Sequence, residues 1–307
     1  MNGLELSRAY YEAHGKPMLE SQFPALLPCL AVGLFGAGSE CFGYDDAVSR
    51  DHDFEPSFCL LLPDESVVDR RSEFLLERAY AKLPKAFGGA ERQALSPVGG
   101  ARRGVLRTAA FFERTVGSPD GRLTAQEWLT LPEQSLAEAT NGAVFFDDWG
   151  EVTRIRETLA YFPEDVRRKR LAGQLLLMGQ AGQYNHARCL AHGERAAARL
   201  AAFGFVQSAL SAIFLLNRRY QPYYKWSFRA LRELPALSDL AEPLERLLSA
   251  DDDAEALIGR VAAAVAAALR EQGLSDADGA ELERHAYAVN GRVADAEMRN
   301  LHILAAV

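Results

Sequence analysis

The chain has 307 residues, 49% of them apolar and 25% charged, which is the composition of a water-soluble folded protein with room for one large domain or two ordinary ones. A formal net charge of −8 argues against a general nucleic-acid binder, whose affinity comes from Lys and Arg neutralising phosphates, and leaves open a local cationic site for a small anion. Cys29, Cys41, Cys59 and Cys189 are widely spaced, form no C-x-x-C pair and have no histidine at metal-ligand spacing, so they read as reduced, mostly buried thiols.

In chain order, residues 4–14 read as a short amphipathic helix closed by Gly15 and Pro17. The apolar stretch 25–35 is too short to span a bilayer and is broken by Pro28, so the expectation is a cytoplasmic protein without a membrane segment. A strand is expected over 30–35 and another over 54–62, ending at Pro63, followed by a charged helix over 64–83 with Asp64 as its cap. Residues 84–103 lack apolar periodicity and read as a loop; 104–112 read as a strand running into a helix, and 125–140 as a helix. After Asn141 and Gly142, AVFFDDWGEVT reads as a hairpin turning at Asp148 to Gly150.

Beyond Thr153 the pattern becomes helical, with segments at roughly 164–181, 183–217, 222–233, 239–249, 252–272 and 276 to the end. The expected architecture is therefore an α/β (α+β) domain with a mixed sheet over 1–153, followed by an all-α helical bundle over 154–307.

The chemistry concentrates after the first strand. Gly36, Gly38 and Ser39 form a small-residue turn whose backbone N–H groups and hydroxyl suit phosphate oxygens. Twelve residues after Ser39 stand Asp51 and Asp53, whose spacing puts both carboxylates on one face of an extended chain, where they can share a divalent metal. A glycine-rich turn followed by a solvated aspartate pair is the competing reading. The third glycine and long following helix of a dinucleotide-binding fingerprint are missing.

An apolar residue, Gly38-Ser39, a spacer and Asp51-x-Asp53 resemble the polymerase-β-type nucleotidyltransferase superfamily. GSECFGYDDAVSRDHDFEP, YNHARCLAHGERAAA and FLLNRRYQPYYKWSFRAL resemble more narrowly a bacterial family called domain of unknown function 4037, over nearly the whole chain. The superfamily resemblance implies a nucleotidyltransferase-like fold, with triphosphate against Gly38 and Ser39 and with Mg²⁺ or Mn²⁺ on Asp51 and Asp53. It also implies transfer of a nucleoside monophosphate, AMP from ATP, to a hydroxyl of a small molecule or protein. Many members carry a third carboxylate on a later strand; GVLRTAAFF has none, which leaves Asp147, beside Asp148, as the candidate third catalytic and metal-binding acid and Glu113 as a poorer one. Ordinary turn chemistry ahead of Gly150 is the other reading of Asp147 and Asp148.

In the helical half, Asn217, Arg218, Arg219, Tyr220, Tyr223, Tyr224, Lys225 and Trp226 form a dense cationic and aromatic cluster around Pro222, which breaks the helix. Arg219 and Lys225 suit a triphosphate and Tyr223 a ring; a helix corner with aromatic packing is the alternative. Tyr184, Asn185, Arg188, His192, Glu194 and Arg195 supply a second polar group, with 184, 188, 192 and 195 on one helical face, either lining a site or salt-bridged in solvent. Arg154, Arg156 and Glu157 read as phosphate-orienting residues or as surface ion pairs. A catalytically reduced nucleotide-binding protein and an antitoxin-like protein modifier are the competing functions.

Overall fold

The computed structural model describes residues 1–46, 48, 55–92, 103–249 and 253–307, which form a mixed α/β protein dominated by helices. It divides into two units, Met1–Leu123 with Ser135–Ala160, and Thr124–Gln134 with Tyr161–Val307.

The first unit opens with α1 (Gly3–Tyr10), a wide π-helical turn (Tyr11–Gly15) and α2 (Lys16–Gln22). The helix expected to stop at Gly15 therefore runs through it. A Cβ at Gly15 would lie 2.6 Å from the Phe58 ring, so the bare backbone lets the helix seat on the sheet, and Pro17 falls in the first turn of α2, where its missing N–H costs least. β1 (Ala31–Leu34), α3 (Ser39–Phe42) and β2 (Cys59–Leu62) follow. Asp69 caps α4 (Arg70–Ala81) by accepting from the Ser72 N–H at 2.7 Å. Asp64, the expected cap, closes the turn before it by accepting from the Ser66 N–H at 2.9 Å.

The region that reads as a loop contains the small hairpin β3 (Ala86–Phe87) and β4 (Ala90–Glu91), and β5 (Gly104–Arg107) runs into α5 (Thr108–Val116). β6 (Ala143–Phe146) is followed by α8 (Glu151–Thr158), so the expected hairpin is a strand and a helix. Val152, Ile155 and Leu159 recur at helical spacing and are buried, which accounts for the difference. The domain boundary expected at 153 falls inside α8.

The main sheet has the order β5-β2-β1-β6, with β1 antiparallel to β2 and β6 and β2 parallel to β5 through the crossover carrying α4. Val32, Leu60 and Leu62 on one face join Tyr10, Leu19, Phe58, Leu76 and Tyr80 in a core. Gly33 stands opposite Cys59, Cys59 opposite Gly104, and Leu34 opposite Ala143. The exit of β1 and the entries of β2, β5 and β6 thus meet at one end of the sheet.

In the second unit, α6 (Ala125–Thr130) is separated by Pro132 from α7 (Glu133–Thr140), whose residues from Ser135 on belong to the first unit, so the single helix expected over 125–140 is cut. α9 (Glu164–Met178) packs against α11 (Arg195–Leu216) and α15 (Leu282–Gly291). A π-helical segment (Gly179–His186) and α10 (Ala187–Ala191) precede a break at 192–194, so the helix expected over 183–217 is interrupted and the face shared by 184, 188, 192 and 195 does not persist. α12 (Tyr224–Arg232), α13 (Ala241–Ser249), α14 (Ala254–Glu271) and α16 (Ala296–Asn300) complete the unit. α11 is long and apolar enough to cross a membrane by length and composition, but its most apolar window is 67% buried. All four cysteines are free, with Cys41 and Cys59 buried and the other two partly exposed.

Candidate functional site

The sheet end where four strand termini meet holds the glycine-serine turn. Gly36 and Gly38 have φ of 108° and 135°, values that L side chains rarely adopt, and a Cβ on Gly38 would collide with the Glu40 carboxylate. Asn141 clasps the turn from both sides: its Oδ1 accepts from the Gly36 N–H at 2.9 Å and its Nδ2 donates to the Gly36 carbonyl at 2.8 Å. Gly142, with φ 60°, donates its N–H to the Cys41 carbonyl at 2.8 Å. Its missing side chain leaves room for the Leu34 carbonyl.

Two partly buried guanidinium groups flank this turn. Arg103, just before β5, pairs with Glu40 and sends Nη1 to Cys41 Sγ at 3.7 Å; burial pulls it down to about 10, still charged at neutral pH. Arg156 on α8 lies over the Phe35 ring at 5.2 Å and donates Nη2 to the carbonyls of Thr140 and Asn141 at 2.8 and 2.7 Å. Its Nη1 is buried and has no hydrogen-bond partner, and burial pulls this guanidinium also down to about 10. Asp45 accepts from the Gly3 N–H at 2.8 Å through Oδ2 while its Oδ1 is buried without a partner.

Of the expected site residues, Gly38 and Ser39 lie at this end, and Asp51 and Asp53 lie outside the described residues. Asp147 does not join Gly38 and Ser39. Because β6 runs antiparallel to β1, with Phe146 opposite Val32, Asp147 emerges at the start of β1, about 13 Å of strand from the turn. Its Oδ1 accepts from the Gly150 N–H at 3.0 Å and its Oδ2 from the Thr153 N–H at 2.7 Å, so it holds the entry to α8 as a turn residue. Asp148 and Glu113 are exposed. Among the described residues no group of three or more His, Cys, Asp and Glu could hold a metal ion, and Glu40 is committed to Arg103.

The second unit has an open groove of about 940 Å³ whose lining includes Glu133, Arg170, Phe203, Ser211, Tyr223 and Tyr224. Glu133 accepts from Ser211 Oγ at 3.0 Å and the Gln221 N–H at 3.1 Å, with Arg170 Nη2 3.8 Å away. Burial raises its carboxyl above the usual range against the pull of Arg170. Tyr223 lines this groove beside Tyr224, ring centres 4.3 Å apart. Arg188, Arg219 and Lys225 are exposed and do not line it: Arg188 lies over Tyr184 at 5.0 Å and Lys225 over Trp226 at 5.1 Å. Tyr220 packs on Phe162 and Tyr161, with centres 5.0 and 5.2 Å away, so at this residue the corner reading holds. α11 ends at Leu216, before Pro222; the Asn217 side chain donates to the carbonyls of Ile213 and Ala236 and accepts from the Ala236 N–H.

Residues 128–227 match the model of the family described as Domain of unknown function (DUF4037). No curated protein matches the chain, and no solved structure does. The DUF4037 match runs from α6 into α12 and includes Asn141, Arg156 and most of the groove lining, with Glu133, Arg170 and Tyr223. The segment containing Gly38, Ser39, Asp51 and Asp53 lies before it, so the match covers about a third of the chain where the resemblance was expected over nearly all of it.

Asn141 as a clasp and the Glu40–Arg103 pair were missed by sequence reasoning. A carboxylate inside a small-residue turn was the available signal for Glu40; Asn141 reads as ordinary turn chemistry, and its partner is 105 positions away.

Proposed function

We propose that the chain is a Mg²⁺-dependent nucleotidyltransferase that moves AMP from ATP to a hydroxyl of a small molecule or protein, with Gly38 and Ser39 against the triphosphate and Asp51 and Asp53 as metal ligands. The observation that carries this reading is the junction at one sheet end of the exit of β1, with its clasped glycine-serine turn, and the entry of β2, which the Asp51-x-Asp53 segment precedes in the chain. The turn is preorganised, as phosphate binding requires, because Asn141 fixes both polar groups of Gly36. In the reaction the acceptor oxygen bonds to the α-phosphorus, the bond to the β-phosphate bridging oxygen breaks, pyrophosphate leaves and the hydroxyl proton passes to solvent or a base. A bound metal would supply charge neutralisation at the phosphates.

Release of pyrophosphate from labelled ATP with acceptor pools tests this. Turnover is expected to fall at least about a thousandfold in Asp51→Ala and Asp53→Ala proteins that remain folded, as for groups acting directly at the reacting phosphate. No release with any triphosphate and acceptor would favour the second reading, a nucleotide-binding protein with reduced catalysis. That reading is supported by the engagement of Asp147 in the α8 turn.

A further inference from the structure

Arg156 is a partly buried cation whose buried Nη1 lacks an acceptor. Its Nη2 has two carbonyl partners, its Nη1 has none, and among the described residues no carboxylate comes within ion-pairing distance. Buried charges are ordinarily paired, and an orphaned guanidinium donor costs more to leave unmade than a neutral one. The neighbouring guanidinium of Arg103 shows the ordinary arrangement, since Glu40 neutralises it. Carbonyl oxygens carry only partial charge, so the bonds to Thr140 and Asn141 orient Arg156 without neutralising it.

The place is as informative as the deficit. Arg156 bonds the backbone of Asn141, whose side chain clasps Gly36, and it lies over Phe35, the residue that leads into the turn. Within the described residues, the amides of Ala37 and Gly38 make no hydrogen bond. A partly buried positive charge, an orphan donor and free loop amides therefore occur together beside a turn held rigid from below.

We propose that Arg156 and the turn at residues 36–39 form an oxyanion site for a phosphate group, with one oxygen accepting from Arg156 Nη1 and another from the loop amides. This deepens the nucleotidyltransferase reading by adding the cation that meets the phosphates, and it requires neither metal nor turnover. The orientation by two carbonyls makes the guanidinium a fixed fork, which suits phosphate geometry better than a mobile lysine does.

The test uses the full chain and inorganic pyrophosphate in the presence of a chelator. Calorimetry should show saturable one-to-one binding, weakened at least tenfold in Arg156→Gln, which keeps an amide donor and loses the charge, and weakened less in Arg156→Lys. In the unaltered protein with nitrogen-labelled arginine, one guanidinium resonance, absent from the Arg156→Lys spectrum, should move with the titration, so the result stands even if Arg156→Gln misfolds. Tighter binding of ATP than of orthophosphate identifies a nucleotide as the source of the phosphate, and equal binding identifies free phosphate; both support the site. Absence of binding, equal binding by Arg156→Gln, or a resonance that stays still overturns it. Metal-free pyrophosphate binding without pyrophosphate release from ATP would sink nucleotidyl transfer and leave this site standing.

Discussion

Arg167 and Lys169 in the second unit and Arg156 in the first are satisfied to different degrees. In the second unit, Arg167 is 1% exposed and donates Nε to the Leu215 carbonyl at 2.8 Å, Nη1 to Glu164 at 3.0 Å and Nη2 to Gln272 at 2.9 Å. Lys169, fully buried on the same helix, pairs with no acid among the described residues but with three oxygens: Asn290 Oδ1 and the carbonyls of Arg299 and Leu301, at 2.9, 3.2 and 2.7 Å. These donors tie α9 to α11, α14, α15 and the C-terminal segment, so their charge serves architecture. In the first unit Arg156 is oriented but left with a free donor beside the glycine-serine turn. Burial alone does not mark a functional cation; Arg92 Nε and Arg168 Nε also lack a hydrogen-bond partner, and what sets Arg156 apart is its place beside the glycine-serine turn.

The largest expected effect would break this comparison outright. Arg167→Met removes the donor to Gln272 Oε1 and one of the donors to the Leu215 carbonyl, breaks the ion pair with Glu164, and should cost about 3 kcal/mol in urea unfolding. Arg156→Gln should cost less than about half of that, because an amide can keep a carbonyl bond and an uncompensated charge is removed. Equal losses would mean that Arg156 is architectural as well.

Glu133 extends the contrast to an acid. Its carboxyl is raised by burial, so the folded chain holds the proton more tightly than the unfolded chain, whose ordinary value is 4.5. Its contribution is most favourable below 4.5 and declines as pH rises through the folded value. The stability of the unaltered protein relative to Glu133→Gln should therefore fall as pH rises from 4.5, measured by thermal unfolding across pH, and a flat difference would deny the raised carboxyl.

The smallest effect concerns the other end of the sheet. Asp147→Asn should cost about 1 kcal/mol by weakening the bonds to Gly150 and Thr153, with the proposed nucleotidyl transfer unchanged within twofold. Loss of turnover without loss of stability would return Asp147 to the catalytic set.

Much of the fold was legible locally. The apolar runs at 31–34 and 59–62, the shift to helices after α8 and the punctuation at Gly38 follow from periodicity and backbone restrictions. The misreadings share a cause. AVFFDDWGEVT has the short-range marks of a hairpin, and what makes its second half a helix is Asp147 accepting amides three and six residues ahead while Val152 and Ile155 find a core. On α9, Arg167, Lys169 and Arg170 are buried because carbonyls distant in the chain, among them those of Leu129, Leu215 and Leu301, supply acceptors.

By itself the sequence determined the turn chemistry at Gly36 to Ser39, the spacing to Asp51 and Asp53 and the helical character of the second half, since these depend on neighbours in the chain. Only the tertiary structure decided which end of the sheet each residue reaches and which cations are satisfied. Strand direction and register are set by pairing between distant segments, so Asn141 arrives at the glycine turn and Asp147, six residues later, leaves at the opposite end.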